Sequence, residues 1–68
     1  ASSLPYKRNK IIIEDGAMIG MNTTIMPGVK IGEGAIIGAK SLVINDIPSW
    51  TMAAGNPAKV IKTVGAKK

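Results

Sequence analysis

The side chains able to do chemistry in this chain are few. It has 68 residues, no His and no Cys, which removes the commonest metal ligand, the commonest general base and every thiolate nucleophile or disulfide. Four acids remain, Glu14, Asp15, Glu33 and Asp46, and no pair has a spacing suited to acid–base work. Asp46 precedes Ile47-Pro48 and reads as a turn former. The residues from 55 to 68 carry four Lys and no acid, and the whole chain has a net charge of +5. A basic end of this kind suits a polyanionic ligand. Lys59 and Lys62 stand out in it, three residues apart in the segment AKVIKT. With one Tyr, one Trp and no Phe there is no aromatic platform for stacking bases, so nucleic acid is not an expected partner.

What must position those lysines is a repeat. From Ile13 to Pro48 the chain reads in sixes: IEDGAM, IGMNTT, IMPGVK, IGEGAI, IGAKSL, VINDIP. The first position is always aliphatic and the fifth mostly small. The two lie two residues apart across each unit boundary, so they share one face of an extended segment. The fourth position is Gly or Asn in four of six units, residue types that enter the left-handed region at low cost. Each unit therefore reads as a short strand of about four residues followed by a bend. A hairpin meander and a stacked solenoid both satisfy this. The turn sites Pro27-Gly28 and Glu33-Gly34 are not preferred hairpin pairs, which favours the solenoid. The glycines at 16, 28 and 34 are read as bends, and GEGAIIG as no dinucleotide loop, its last Gly falling one residue late. Met18, Met21, Met26, Ile36, Leu42 and Ile44 point outward in this frame, an apolar surface that calls for neighbours.

The chain divides into a basic lead-in over 1–10, the repeat over 11–48, and an exit loop, short strand (58–63) and frayed tail over 49–68. No apolar run approaches the roughly 18 residues of a membrane span, so no membrane partner is expected. The start lacks the apolar centre of a signal peptide, which makes cytoplasm the default location.

The hexapeptides resemble the left-handed parallel β-helix of the acyltransferase superfamily, over Ile11 to about Lys62. The segments PGVKIG, IIGAKSLV, DIP and AAGNPAKVIK are similar in order and spacing to the C-terminal part of galactoside, maltose and xenobiotic-type sugar acetyltransferases. The resemblance implies an all-β fold of about two coils plus a C-terminal extension, Ile13–Lys30 being one coil and Ile31–Pro48 the next. It implies acetyl transfer from acetyl-CoA to a hydroxyl or amine of a small, sugar-like acceptor, by a homotrimer that needs no metal and binds the cofactor between neighbouring β-helices. The family's catalytic His has no counterpart here, so no catalytic residue is assigned. Carried over position by position, Met21 and Ala39 match contacts to the pantetheine arm. Ile44 and Asn45 stand where many members have Thr-Lys. Lys59 and Lys62 match basic positions that reach the 3′-phosphate and pyrophosphate. Met18 stands where many members have Trp. A β-helix whose only task is to trimerise is the alternative reading. A carbonic anhydrase of the γ class, which shares the repeat, is disfavoured by the absence of His.

Overall fold

The computed structural model describes residues 10–65; the lead-in before Lys10, with Tyr6, and residues 66–68, with Lys67 and Lys68, lie outside them. Eight strands follow in order: β1 Ile12–Ile13, β2 Met18–Ile19, β3 Thr24–Ile25, β4 Lys30–Ile31, β5 Ile36–Ile37, β6 Leu42–Val43, β7 Thr51–Gly55 and β8 Ala58–Thr63. The first six begin six residues apart and are two residues long, not four. The tight turns consume the rest of each unit, as where Ala17 N–H donates to Glu14 O (3.3 Å) and Ala35 N–H to Gly32 O (3.1 Å).

Strands three units apart pair in parallel: β1 with β4, β2 with β5 and β3 with β6. The register is eighteen residues, Ile13 against Ile31, Ile19 against Ile37 and Ile25 against Val43. The chain is thus a three-sided parallel β-helix with three hexapeptides to a coil, as the family resemblance implied. Four of the fourth-position bend residues behave as their type requires, with φ of 76° at Gly16, 57° at Asn22, 85° at Gly28 and 68° at Gly34. Lys40 also adopts a φ of 60° there, and corner stacks on corner: its N–H donates to Met21 O (2.9 Å), as Gly34 N–H does to Asp15 O (3.0 Å).

The inward column is Val29, Ile31, Ala35, Ile37, Val43, Ile47 and Ala53, all buried. The lower end of that column is open. Ile13 is 49% exposed, and Ile19 and Ile25 are only half-buried, because among the described residues no strand pairs with the far edges of β1, β2 and β3.

The frame changes after β6. Ile47 bridges Ile31, and Met52 pairs with Ile36, both sixteen residues on instead of eighteen. A third coil therefore begins inside VINDIP, two residues early. The shortened corner is sealed by a side chain: the Asp46 carboxylate accepts the Lys30 N–H at 2.9 Å, while Lys30 O accepts from Ile47 N–H at 2.9 Å. The expected exit loop after Pro48 is replaced by coil: Trp50 takes the next left-handed bend (φ 57°), its N–H donating to Glu33 O (2.8 Å), and Thr51–Gly55 becomes β7. The loop expectation rested on Gly55 and Pro57 as punctuation, and Trp is a poor bend residue on its own. Packing reverses that: the indole lies against Gly34 and Gly65, where an added Cβ would come within 2.3 and 2.6 Å of it. The chain then turns through Asn56-Pro57, and β8 pairs antiparallel with β7.

Candidate functional site

β2, β5, β7 and β8 form one continuous four-stranded face. Inward residues alternate with outward ones, so its outer surface carries two columns running along the helix axis. One is Met18, Ile36 and Met52; the other is Gly20, Gly38 and Ala54. The second column has almost no side chain. Coils press together there: a Cβ on Gly20 would lie 2.5 Å from Ala39 N, and one on Gly38 would lie 3.0 Å from Ala54 Cβ. These glycines do not serve as bends. They make a smooth strip along which a slender ligand can lie against main chain.

β8 extends this face, and its register decides where the two lysines point. Residues three apart on a regular strand face opposite ways. Here the register slips between Met52 and Ala53, so that Lys59 pairs with Ala54, Val60 with Ala53 and Lys62 with Met52. Ile61 is the additional residue, and the slip is a β-bulge. Both lysines therefore share the outer side with Ala54 and Met52, at the end of the two columns. Among the described residues neither has an acidic partner; the ion pair there joins Lys30 to Glu14 at 3.6 Å, on the β1–β4 side. Glu14, Asp15 and Glu33 line one shallow pocket, and Glu14, Lys30 and Asp46 line another with Ser49. The acids lie around that side of the prism, and the lysines meet no carboxylate on theirs.

The remaining positions sort by corner. Met21 (74% exposed) and Ala39 stack on the corner that follows β2 and β5, beside the glycine column. Ile44 and Asn45 lie on the next corner, beyond β3 and β6, and are exposed. One chain thus gathers Met21, Ala39, Lys59 and Lys62 along one face, and Ile44 and Asn45 stand apart from them. Met18 is 63% exposed on the same face. Reading the residues for charge and bends missed Gly20, Gly38 and Ala54. Their signal was present as the recurring Ile-Gly pairs at 19–20 and 37–38.

Among the described residues no group of three or more His, Cys, Asp or Glu side chains could hold a metal ion, and no helix is long and apolar enough to cross a membrane. Residues 10–45 match the family model of the bacterial transferase hexapeptide (six repeats). The chain belongs to that family. Its fold is the left-handed parallel β-helix. It is 46% identical over 63 residues to a 2,3,4,5-tetrahydropyridine-2,6-dicarboxylate N-acetyltransferase of Clostridium perfringens, covering 93% of this chain and 27% of that protein. A hexapeptide-repeat-containing acetyltransferase of Vibrio cholerae O1 biovar eltor, solved with acetyl coenzyme A, superposes with a TM-score of 0.80 at 38% identity, over 82% of this chain and 31% of that one. A galactoside acetyltransferase in complex with coenzyme A gives 0.79 at 44% identity, over 81% and 28%. The hexapeptide chain described here spans about a third or less of the length of each of these relatives.

Proposed function

We propose that this hexapeptide chain is the cofactor-binding and trimer-forming part of an acetyl-CoA-dependent acyltransferase that acetylates a hydroxyl or amine of a small, sugar-like acceptor. The observation that carries the reading is the bulge that sets Lys59 and Lys62 on one side, at the end of the Gly20–Gly38–Ala54 strip. The strip suits a narrow arm lying parallel to the helix axis, and the corner at Met21 and Ala39 borders it. The two ammonium groups suit phosphates, each as a point charge and not as a bidentate fork. Two relatives, one at 38% and one at 44% identity, are solved with acetyl coenzyme A and with coenzyme A, which supports the choice of ligand. When bound, acetyl-CoA supplies the acyl group as a thioester; what these residues do is hold and orient it. The chain contains no His, so any histidine base lies outside these 68 residues.

Ile44 and Asn45 would join the site from an adjacent copy, which is how a homotrimer completes what one chain leaves apart. Exposed Met26 (41%) and Ile44 (45%), one residue past the ends of β3 and β6 respectively, offer such a copy an apolar surface. We place the protein in the cytoplasm on this reading.

The test is calorimetric titration of acetyl-CoA into the intact protein and into Lys59→Ala/Lys62→Ala. Charge-assisted contacts contribute about 1.5–3 kcal/mol each, so the double variant should bind at least tenfold more weakly with its assembly mass unchanged. The affinity of the unsubstituted protein should also fall with added salt. No binding by that protein overturns the reading. Equal binding by the variant removes the lysines from the site and leaves the trimerisation module as the better account.

A further inference from the structure

The corner beside the glycine strip is closed by side-chain hydroxyls, as is the corner from Pro48 to Thr51, where Thr51 Oγ1 donates to Pro48 O at 2.8 Å. The turn from Gly32 to Ala35 is closed by main chain, Ala35 N–H donating to Gly32 O at 3.1 Å, and the turn from Met26 to Val29 is closed the same way at 3.3 Å. At Gly38 to Ser41 the work passes to hydroxyls. Ser41 Oγ donates to Gly38 O at 2.8 Å, and Thr23 Oγ1, from the coil beneath, donates to the same oxygen at 3.1 Å. Ser41 is 2% exposed, and its Oγ also accepts the Gly55 N–H of the next coil at 3.1 Å. One carbonyl thus receives two side-chain donors from two coils.

That carbonyl belongs to the Gly38–Ala39 peptide. Among the described residues the cis bond is Asn56–Pro57, so this peptide is trans, and its N–H points opposite to its C=O. A carbonyl drawn inward to two hydroxyls turns the Ala39 N–H outward. Ala39 is exposed, and among the described residues no acceptor bonds that N–H. Gly20 has no Cβ to cover it: one placed there would lie 2.5 Å from Ala39 N. A peptide that follows glycine is free to rotate unless something holds it. The two hydroxyls hold it.

We propose that Thr23 and Ser41 are positioning residues: their hydroxyls fix the Gly38–Ala39 peptide so that the Ala39 N–H stands ready to donate to an amide carbonyl of the cofactor's pantetheine arm. The inference rests on the acetyl-CoA reading of this face, and it adds a cause for the donor's orientation. A donor fixed before binding costs less to order when the ligand arrives.

Two probes separate positioning from general support: acetyl-CoA, which carries the arm, and adenosine 3′,5′-bisphosphate, which lacks it. In the intact protein Thr23→Val and Ser41→Ala should each weaken acetyl-CoA binding about threefold, and together about tenfold, the range of one net hydrogen bond. Adenosine 3′,5′-bisphosphate should move less than twofold, and Thr23→Ser and Ser41→Thr should restore the arm's contribution. Parallel losses for both probes, or acetyl-CoA affinity within twofold of the unsubstituted protein, would overturn the proposal and leave the acetyl-CoA reading standing. Failure of the unsubstituted protein to bind either probe takes down both. If Ser41→Ala does not fold, the amide resonance of Ala39 in the unsubstituted protein decides. It should shift downfield with acetyl-CoA and stay in place with the bisphosphate; an unmoved resonance in both counts against the proposal.

Discussion

Two glycines with the same backbone need differ in what surrounds them. Gly16 and Gly34 both sit at the fourth position, with φ of 76° and 68°. A Cβ on Gly16 would meet nothing nearer than 3.7 Å, whereas one on Gly34 would enter the Trp50 ring at 2.3 Å. Left-handed backbone costs a residue with a Cβ roughly 1–2 kcal/mol, and overpacking adds about 1–3 kcal/mol. Gly16→Ala should therefore lower the unfolding free energy by about 1 kcal/mol, and Gly34→Ala by about 3 kcal/mol or more, read by urea denaturation of the intact protein. Equal losses would show that the indole does not hold the corner. The bends at these positions were legible from residue type alone. The use of Trp50 as a bend was not, because its cost is met only by ring contacts with Gly34 and Gly65 from distant parts of the chain.

Among the elements, β8 shows most clearly how register governs function. Its limits, Ala58–Thr63, were legible from the segment AKVIKT. The side its lysines take was not. Read as a regular strand, residues 59 and 62 diverge, and the bulge at Ile61 brings them together. Deletion of Ile61 provides a test. It leaves the two lysines two apart on a regular strand, still on one face. Acetyl-CoA affinity should stay within about twofold of the parent in a titration, and a tenfold loss would mean that the bulge itself shapes the site. β7 was the element most fully missed. Its pairing with β5 follows from a coil shortened by two residues, and the punctuation at Gly55 and Pro57 marks where that strand ends without predicting it.

At the scale of the whole molecule, this is a short prism with little to bury. Its column of buried apolar residues runs from Val29 to Ala53, and its lower end is open at Ile13, Ile19 and Ile25. Outer faces carry exposed Met26 and Ile44, which fits the proposed packing of copies side by side. If the proposed trimer packs there, charging that surface should separate the copies: Met26→Lys/Ile44→Lys should shift the mass in sedimentation from the proposed trimer toward monomer. It should also weaken acetyl-CoA binding at least tenfold, because on the proposed reading Ile44 and Asn45 then leave a site shared between copies. An unchanged trimer would place the contact on another face.

The sequence by itself determined the solenoid, its six-residue unit, the inward aliphatic column and the lysine-rich strand; three hexapeptides to a coil came from the family resemblance. Each of these follows from local rules: a two-residue alternation for burial, a left-handed residue at each bend, charge at one end. The tertiary structure alone decided the early third coil, the common side of Lys59 and Lys62, and the outward turn of the Ala39 N–H. The lysines' common side depends on the pairing of β8 with β7, and the others depend on what lies a whole coil away. The Lys30 N–H bonded by Asp46, the Gly38 carbonyl held by Thr23, and the glycines against the Trp50 ring are contacts between residues some fifteen apart in the chain. Stacking brings such residues together, and no window of local sequence contains both partners.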